Sequence, residues 1–148
     1  MFQYALVANN GEVHHVVSSG SDSDYTEGET YHGLLAVQVA YDIDAQNLIE
    51  TKYYASGEWF TREARQNPWQ DWVGSAWLFN AVRFASHVRS DRNNKISVTD
   101  WTQSEDSPLT TEKKAEWATY RQALRDIPET YSDATSLDDI IWPTKPEV

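Results

Sequence analysis

The stretch "TEKKAEWATYRQALRDIP", residues 111–128, decides the fold of the C-terminal half. An α-helix turns by about 100° per residue, so side chains three or four positions apart share one face. The large apolar residues of the stretch have this spacing: Trp117, Tyr120, Leu124 and Ile127. Proline has no amide proton and restrains the residue before it, so we expect the helix to end at Pro128. The pattern predicts an amphipathic helix with Trp117 and Leu124 turned inward.

Three basic residues form a shoulder beside this apolar face: Lys114, Arg121 and Arg125. Arg121 lies one turn after Trp117, where a guanidinium can stack on the indole. In one interpretation the apolar face is the protein's own core and the shoulder is a rim near the surface. In the other, part of the face contacts another protein, because Trp and Arg are enriched among interface anchors. We expect a partner-binding role for Arg125 and an internal one for Arg121, with Asp100 or Asp126 as the acidic partner.

A second helix is predicted upstream. A stripe of apolar residues recurs there at helical spacing: Trp77, Ala81, Phe84 and Val88. This stripe predicts a helix from about residue 75 to about residue 96, which would form a helical hairpin with residues 111–128. Trp117 should therefore be buried against the helix that contains Trp77 and Phe84. The "SLDD" of residues 136–139 has the cap-and-acid spacing of a short helical turn.

The first 65 residues have the alternation and composition of strands. The segments "FQYALVA" (2–8) and "VHHVVSS" (13–19) flank an Asn-Gly pair that suits a tight hairpin turn. "LLAVQVAY" (34–41) is rich in strand formers, and "LIETKYY" (48–54) and "EWFTR" (58–62) flank a second turn. One small antiparallel sheet is the simplest arrangement. The fold class is therefore predicted to be α+β, with a β-rich domain at 1–70 and a helical domain at 71–148.

Composition excludes several functional classes. The net charge of −11 provides no basic face for nucleic acid. No apolar run approaches the roughly 18 to 20 residues of a membrane span, and the N-terminus has no signal-peptide pattern. The sequence has no cysteine, so disulfides and thiolate metal sites are excluded. We predict a soluble protein that binds neither nucleic acid nor membrane.

No residue pattern indicates catalysis, a cofactor or a metal. His14 and His15 are adjacent on a predicted strand, so we expect them to point to opposite faces and not to share a metal. The segment "DSDYTEG" from Asp22 begins like a calcium loop, but Glu27 replaces the required glycine. With 23 acidic residues, carboxylate pairs arise by chance. A weaker interpretation is a sugar-binding or sugar-cleaving module that uses exposed tryptophans: Trp59, Trp69 and Trp72.

The C-terminal 60 residues resemble a known family. The segments "VTDWTQSEDSPLTTEKKAEWATYRQALRDIP" (98–128) and "WPTKP" (142–146) are similar to the phage tail assembly chaperone family, whose members are encoded beside tail-fibre genes. The similar elements come in one order: 99–103, 106–110, Trp117 with Tyr120 and Arg121, 124–128, and 142–143. "ETYSDATSLDDII" (129–141) separates the last two elements by more residues than is usual in the family.

The resemblance implies a non-enzymatic protein that binds a phage tail or tail-fibre polypeptide in the host cytoplasm during assembly. The alternative is a structural component retained on the mature virion, in the tail fibre or baseplate; a homo-oligomer is left open. Trp101 and Trp142 follow the two helices, so each could close one end of the hairpin. The candidate partner-binding residues are Trp101, Lys114, Trp117, Tyr120, Arg121, Arg125 and Trp142.

Overall fold

The computed structural model describes residues 2–20 and 24–147. The chain divides into two compact units, Met1–Leu78 and Phe79–Val148. The first unit is built mainly from antiparallel strands and the second from two long helices. The predicted α+β class, with an N-terminal sheet followed by a helical hairpin, is confirmed.

A four-stranded antiparallel sheet forms the centre of the first unit. Its strands, in the order β2-β1-β4-β3, are β1 Phe2–Val7, β2 Val13–Ser19, β3 Thr30–Tyr31 and β4 Leu34–Val39. The predicted hairpin joins β1 to β2. Gly11 in its turn has a φ of 82°, and a Cβ at this position would lie 2.5 Å from the carbonyl oxygen of Tyr54. Glycine is required there both for the left-handed backbone and for this close approach.

Both faces of this sheet are covered. One face buries a cluster of small and branched residues: Ala5, Val7, Val13, Val37 and Leu48. Tyr54 and Trp59 pack against that cluster from outside the sheet. The opposite face buries Tyr4, Leu6 and Ala36 under Tyr25 and Tyr31. The apolar alternation of β1 is used on both sides, which explains why this strand is central.

Contrary to the prediction, the segment "LIETKYY" is not one strand. Its first half ends a short helix, α1 Ala45–Thr51, and its second half belongs to β5 Lys52–Ala55. Asp44 caps the helix by accepting a hydrogen bond from the Asn47 amide at 3.0 Å. Leu48 is the residue that α1 buries in the sheet cluster. The second predicted hairpin is present, with β5 paired to β6 Glu58–Thr61.

The prediction of a single sheet is wrong, because the strands form three separate sheets among the described residues. β5 and β6 make a ribbon of two strands, and β7 Gln70–Trp72 pairs with β8 Trp77–Phe79 in another. Trp77 therefore lies on a strand and not on the predicted helix. That helix, α2 Ala81–Ser97, begins after Asn80, whose side chain accepts a hydrogen bond from the Arg83 amide at 2.8 Å.

The second unit contains α2, a 3₁₀ helix at Asp100–Gln103, α3 Thr111–Thr130 and a 3₁₀ helix at Leu137–Asp139. Contrary to the prediction, Pro128 does not end α3 but lies in its last turn. A proline there loses only one helical hydrogen bond, and the Tyr131 amide closes the turn by donating to the Ile127 carbonyl at 3.0 Å. The predicted turn at 136–139 is confirmed, with a capping box between Ser136 and Asp139.

The helices α2 and α3 pack against each other as the predicted hairpin. The apolar core of this unit contains Phe84, Val88, Trp117, Leu124, Ile127 and Ile140. Ile140 comes from the segment after α3, so the C-terminal tail takes part in the core. Within the described residues, neither these helices nor α1 has the length and apolarity needed to cross a membrane.

Candidate interaction surface on the helical unit

Trp117 is the central buried residue of the hairpin. Only 1% of it is exposed, so its predicted burial is confirmed, although Trp77, which the prediction placed on the facing helix, lies on β8. Its ring centroid lies 5.8 Å from that of Tyr120, edge-on, and 6.3 Å from that of Trp101. The ammonium of Lys145, from the C-terminal tail, lies 5.7 Å from the indole centroid. The tail, the first 3₁₀ helix and α3 therefore meet at this side chain.

Arg121 is buried, contrary to the expectation that the whole basic shoulder stays near the surface. Only 9% of the residue is exposed. Its Nη1 donates to the carbonyl oxygen of Ile96 at 2.9 Å and to Oγ1 of Thr99 at 2.8 Å. Its Nη2 lies 2.7 Å from a carboxylate oxygen of Asp100. Arg121 thus has the predicted internal role, but through the end of α2 and not through stacking on Trp117.

The Arg121 network closes the C-terminus of α2. The last carbonyls of a helix lack partners within the helix and carry partial negative charge, so a cation there is favourable. Thr99 donates to the Ile96 carbonyl at 2.7 Å, and Thr102 donates to the Thr99 carbonyl at 2.6 Å. Neither threonine is among the candidate site residues predicted from the sequence. The sequence pattern that could have indicated their role is the pair of hydroxyl residues that flank the Asp-Trp of "VTDWT".

The other acid considered as a partner of the arginines is used elsewhere. Asp126 accepts a hydrogen bond from Nε2 of Gln122 at 2.9 Å, so the choice left open by the sequence falls on Asp100. Lys114 is half-buried, and its ammonium donates to the Ser104 carbonyl at 2.9 Å. Two of the three shoulder residues therefore brace the connection between α2 and α3.

Arg125 is the shoulder residue that remains exposed. Its carbonyl oxygen accepts a hydrogen bond from Arg92, but among the described residues no carboxylate forms an ion pair with its guanidinium. Trp101 is also accessible, at 43% exposure, although one side of its indole faces Trp117. Tyr120 is half-buried, and burial raises the pKa of its hydroxyl. Arg125 and Trp101 are the exposed residues of the predicted site, and Tyr120 is half-buried, as are Lys114 and Trp142.

Contrary to the expectation, Trp142 does not close the end of the hairpin opposite Trp101. It is half-buried, with the ammonium of Lys95 at 5.0 Å from its ring centroid. Lys95 lies in the last turn of α2, so Trp142 and Trp101 are at the same end of the hairpin. The longer spacing at 129–141 accommodates the second 3₁₀ helix and lets the tail run back along the helices.

Two predictions about the first unit need correction. His14 and His15 do not point to opposite faces, because a β-bulge shifts the register next to them and brings their Nδ1 atoms within 2.9 Å. Trp72 is buried and cannot serve as an exposed sugar platform, while Trp59 and Trp69 are half-buried. Asp22, at the start of the calcium-like segment, lies outside the described residues.

Metal removal should leave the fold unchanged. Over residues 2–20 and 24–147 no group of three or more His, Cys, Asp or Glu side chains is placed to hold a metal ion. A fold that needs a metal is strongly destabilised by a chelator. We expect the same melting temperature with and without EDTA, measured by circular dichroism. A large decrease with EDTA that zinc or calcium reverses would contradict this prediction.

The helical unit also carries a family signature. Residues 85–147 match the family model described as phage tail assembly chaperone protein. The suspected resemblance is thereby confirmed. The match includes most of α2, all of α3 and the returning tail, so it covers the Arg121 network and the Trp117 core together. Neither a curated protein nor a solved structure matches the chain. The match supports a role in phage tail assembly and does not extend to the sheet unit.

Proposed function

We propose that this chain is a non-enzymatic phage protein whose helical unit binds a tail or tail-fibre polypeptide in the host cytoplasm during assembly. The observation that carries the proposal is the family match at 85–147, which covers nearly all of the helical unit. Within that segment, most motif residues maintain the hairpin. A smaller set stays accessible and is available to a client polypeptide.

The accessible residues have the chemistry of interface anchors. Trp101 combines a large apolar surface with an indole N–H, and Arg125 has a guanidinium without an ion-pair partner among the described residues. Trp, Tyr and Arg are the residue types most enriched in binding hot spots. A client segment with carboxylates and an apolar side chain would complement them. We therefore restrict the partner-binding prediction to Trp101, Tyr120 and Arg125, with Trp117, Arg121, Lys114 and Trp142 as its support.

Charge reversal at Arg125 tests this assignment. Arg125→Glu should weaken binding of the tail-fibre protein of the same phage about tenfold, mainly through slower association, because a cation that attracts the client becomes repulsive. The effect should be larger at low salt, where exposed charges are less screened. Surface plasmon resonance with the purified fibre protein measures both rates. Unfolding curves of the variant should match those of the wild type.

Arg89→Glu is the matched control, since Arg89 is another exposed arginine of the helical unit and carries the same charge change. It should leave association unchanged. Undiminished fibre binding by a well-folded Arg125→Glu protein would refute the role of Arg125. Equal losses for both variants would show a general charge effect and not a specific contact.

An assembly factor and a permanent part of the particle can be distinguished by their copy number on purified virions. Quantitative mass spectrometry of purified virions should find the chain absent or below one copy per fibre. Coexpression with the fibre gene should increase the yield of soluble, protease-resistant fibre. A fixed copy number on mature virions would favour the alternative, a structural component of the tail.

A further inference from the structure

The sheet unit contains a cleft that the family match does not include. The cleft is a cavity of about 410 Å³ on the side of the β5–β6 and β7–β8 ribbons. Its walls combine aromatic rings with amide and guanidinium groups, and the residues used below are Tyr53, Arg62, Gln66, Gln70, Trp72 and Trp77. This volume lies within the usual range for small-molecule sites.

Arg62 is a buried residue among those that line the cleft. Its guanidinium carbon lies 4.8 Å from the ring centroid of Trp72 and 4.6 Å from that of Trp77. Nη2 donates to the Ile49 carbonyl at 2.9 Å and lies 3.3 Å from the Glu12 carboxylate. Nε and Nη1 are buried and have no acceptor among the described protein atoms. Buried donors without an acceptor are rare, and an oxygen atom of a bound ligand or of water in the cleft would pair with them.

The aromatic wall is held in place before any ligand arrives. The ring of Trp72 lies 4.9 Å from that of Tyr53 and 5.4 Å from that of Trp77. The Trp77 indole N–H donates to the Glu63 carbonyl at 2.8 Å, and the Trp72 indole N–H donates to the Asn10 carbonyl at 3.2 Å. Such fixed rings offer flat apolar surfaces at little entropic cost, which favours binding of a ligand with a flat C–H face.

The charge of the unit selects against anions. Residues 1–78 carry eleven acidic and three basic side chains, and Glu63 stands on the rim of the cleft. The one cation in the cleft, Arg62, already faces Glu12. An anionic ligand would meet repulsion from the unit and find a guanidinium that is already paired. The ligand should therefore be uncharged, rich in oxygen acceptors, and apolar on one face.

We propose that this cleft binds a neutral saccharide, with a pyranose face on the half-buried rings of Tyr53 and Trp77, which the buried Trp72 supports, and with hydroxyl oxygens accepting from Arg62. The side chains of Gln66, Gln70 and Glu63 can pair with the remaining hydroxyls. An extended peptide fits less well, because its alternating N–H and C=O groups need a strand edge, whereas the polar groups here are mostly side chains after β6. The site is independent of the client-binding surface on the helical unit.

The test uses the full chain and neutral glycans. A glycan array identifies ligands, and a series of methyl hexopyranosides and neutral disaccharides is then titrated by NMR, following the indole N–H signals. We expect at least one neutral glycan to bind saturably, with a Kd of about 1 mM or tighter, and to shift the indole signals of Trp72 and Trp77. Sialylated and sulfated forms of the same glycan should bind more weakly.

A pair of matched variants locates the site. Ala76→Trp places a large side chain at the exposed rim of the cleft and should weaken glycan binding at least about tenfold. Ala40→Trp makes the same change at an exposed position of this unit outside the cleft and should keep wild-type affinity. Arg125→Glu should also bind glycan normally, so that loss of client binding and loss of glycan binding can be distinguished.

Three results would overturn the proposal. The first is a glycan array on which no neutral glycan binds the chain. Another is glycan binding that Ala76→Trp leaves unchanged, since the ligand would then lie elsewhere. The third is capture of peptides from a neutral peptide library that Ala76→Trp abolishes and that saccharides do not compete, which would assign the cleft to a polypeptide.

Discussion

Trp117→Ala should lower the free energy of unfolding of the helical unit by about 3 to 5 kcal/mol, the usual cost of truncating a core aromatic. The side chain is 1% exposed and joins α3 to the first 3₁₀ helix and the tail through Trp101 and Lys145. Removing it takes away apolar burial and leaves a cavity where three segments meet. We expect a loss near the lower end, because the buried indole N–H has no acceptor among the described residues and its removal returns a desolvation cost.

Two further variants separate packing from the indole N–H. Trp117→Phe keeps most of the ring and removes the unpaired donor, so it should cost less than about 1.5 kcal/mol. Trp101→Ala removes the same side chain from a position 43% exposed and should cost about 1 kcal/mol or less. Denaturant curves followed by helical circular dichroism measure all three. A Trp117→Ala protein with unchanged unfolding would refute the packing of the hairpin core.

Local sequence signals predicted the elements that depend on them. The Asn-Gly turn gave the β1–β2 hairpin, and the helical spacing of 117–127 gave α3 and its buried face. The error at the start of α2 came from spacing that matched a helix by coincidence. Trp77 lies four positions before Ala81, yet the helix begins only after Asn80. Asn80 and Asp44 are both N-cap residues and were the better start signals, because a side-chain acceptor at the cap defines where helical hydrogen bonding begins.

The candidate site was predictable where one helix determines it and not where distant segments meet. Arg121 lies four positions after Trp117 and three before Leu124, which places it on the buried face and predicts its internal position. Its partners are 21 to 25 residues away in sequence, at the end of α2. The path of the tail back to Trp117 and Lys95 is a tertiary feature without a periodic signal. The bulge that joins His14 to His15 is likewise a property of strand register.

Arg121→Ala should lower the free energy of unfolding by about 2 to 4 kcal/mol, because it removes two charge-assisted hydrogen bonds and leaves the buried Thr99 hydroxyl without its donor, although the Ile96 carbonyl keeps the bond from Thr99. The Ile96 carbonyl and the Thr99 hydroxyl lose the donor that joins α3 to the end of α2. Arg125→Ala is the matched control, one turn further along the same helix and exposed. It should change stability by less than about 0.5 kcal/mol, as surface substitutions usually do.

The two kinds of bond made by Arg121 respond differently to salt. The Asp100 side chain is 65% exposed, so its ion pair with Arg121 is screened and contributes little in water. The bonds to Ile96 and Thr99 have neutral acceptors, partly buried at Ile96 and buried at Thr99, and should persist in about 1 M salt, where the screening length falls to about 3 Å. The loss caused by Arg121→Ala should therefore remain nearly the same at high salt, and Asp100→Asn alone should cost less than about 1 kcal/mol.

A double-mutant cycle with Thr99→Val should show a coupling of at least about 0.5 kcal/mol. If the loss of stability caused by Arg121→Ala disappears at high salt, the stabilisation comes from the ion pair with Asp100. Arg121 would then form a surface ion pair and would not be the residue that closes α2.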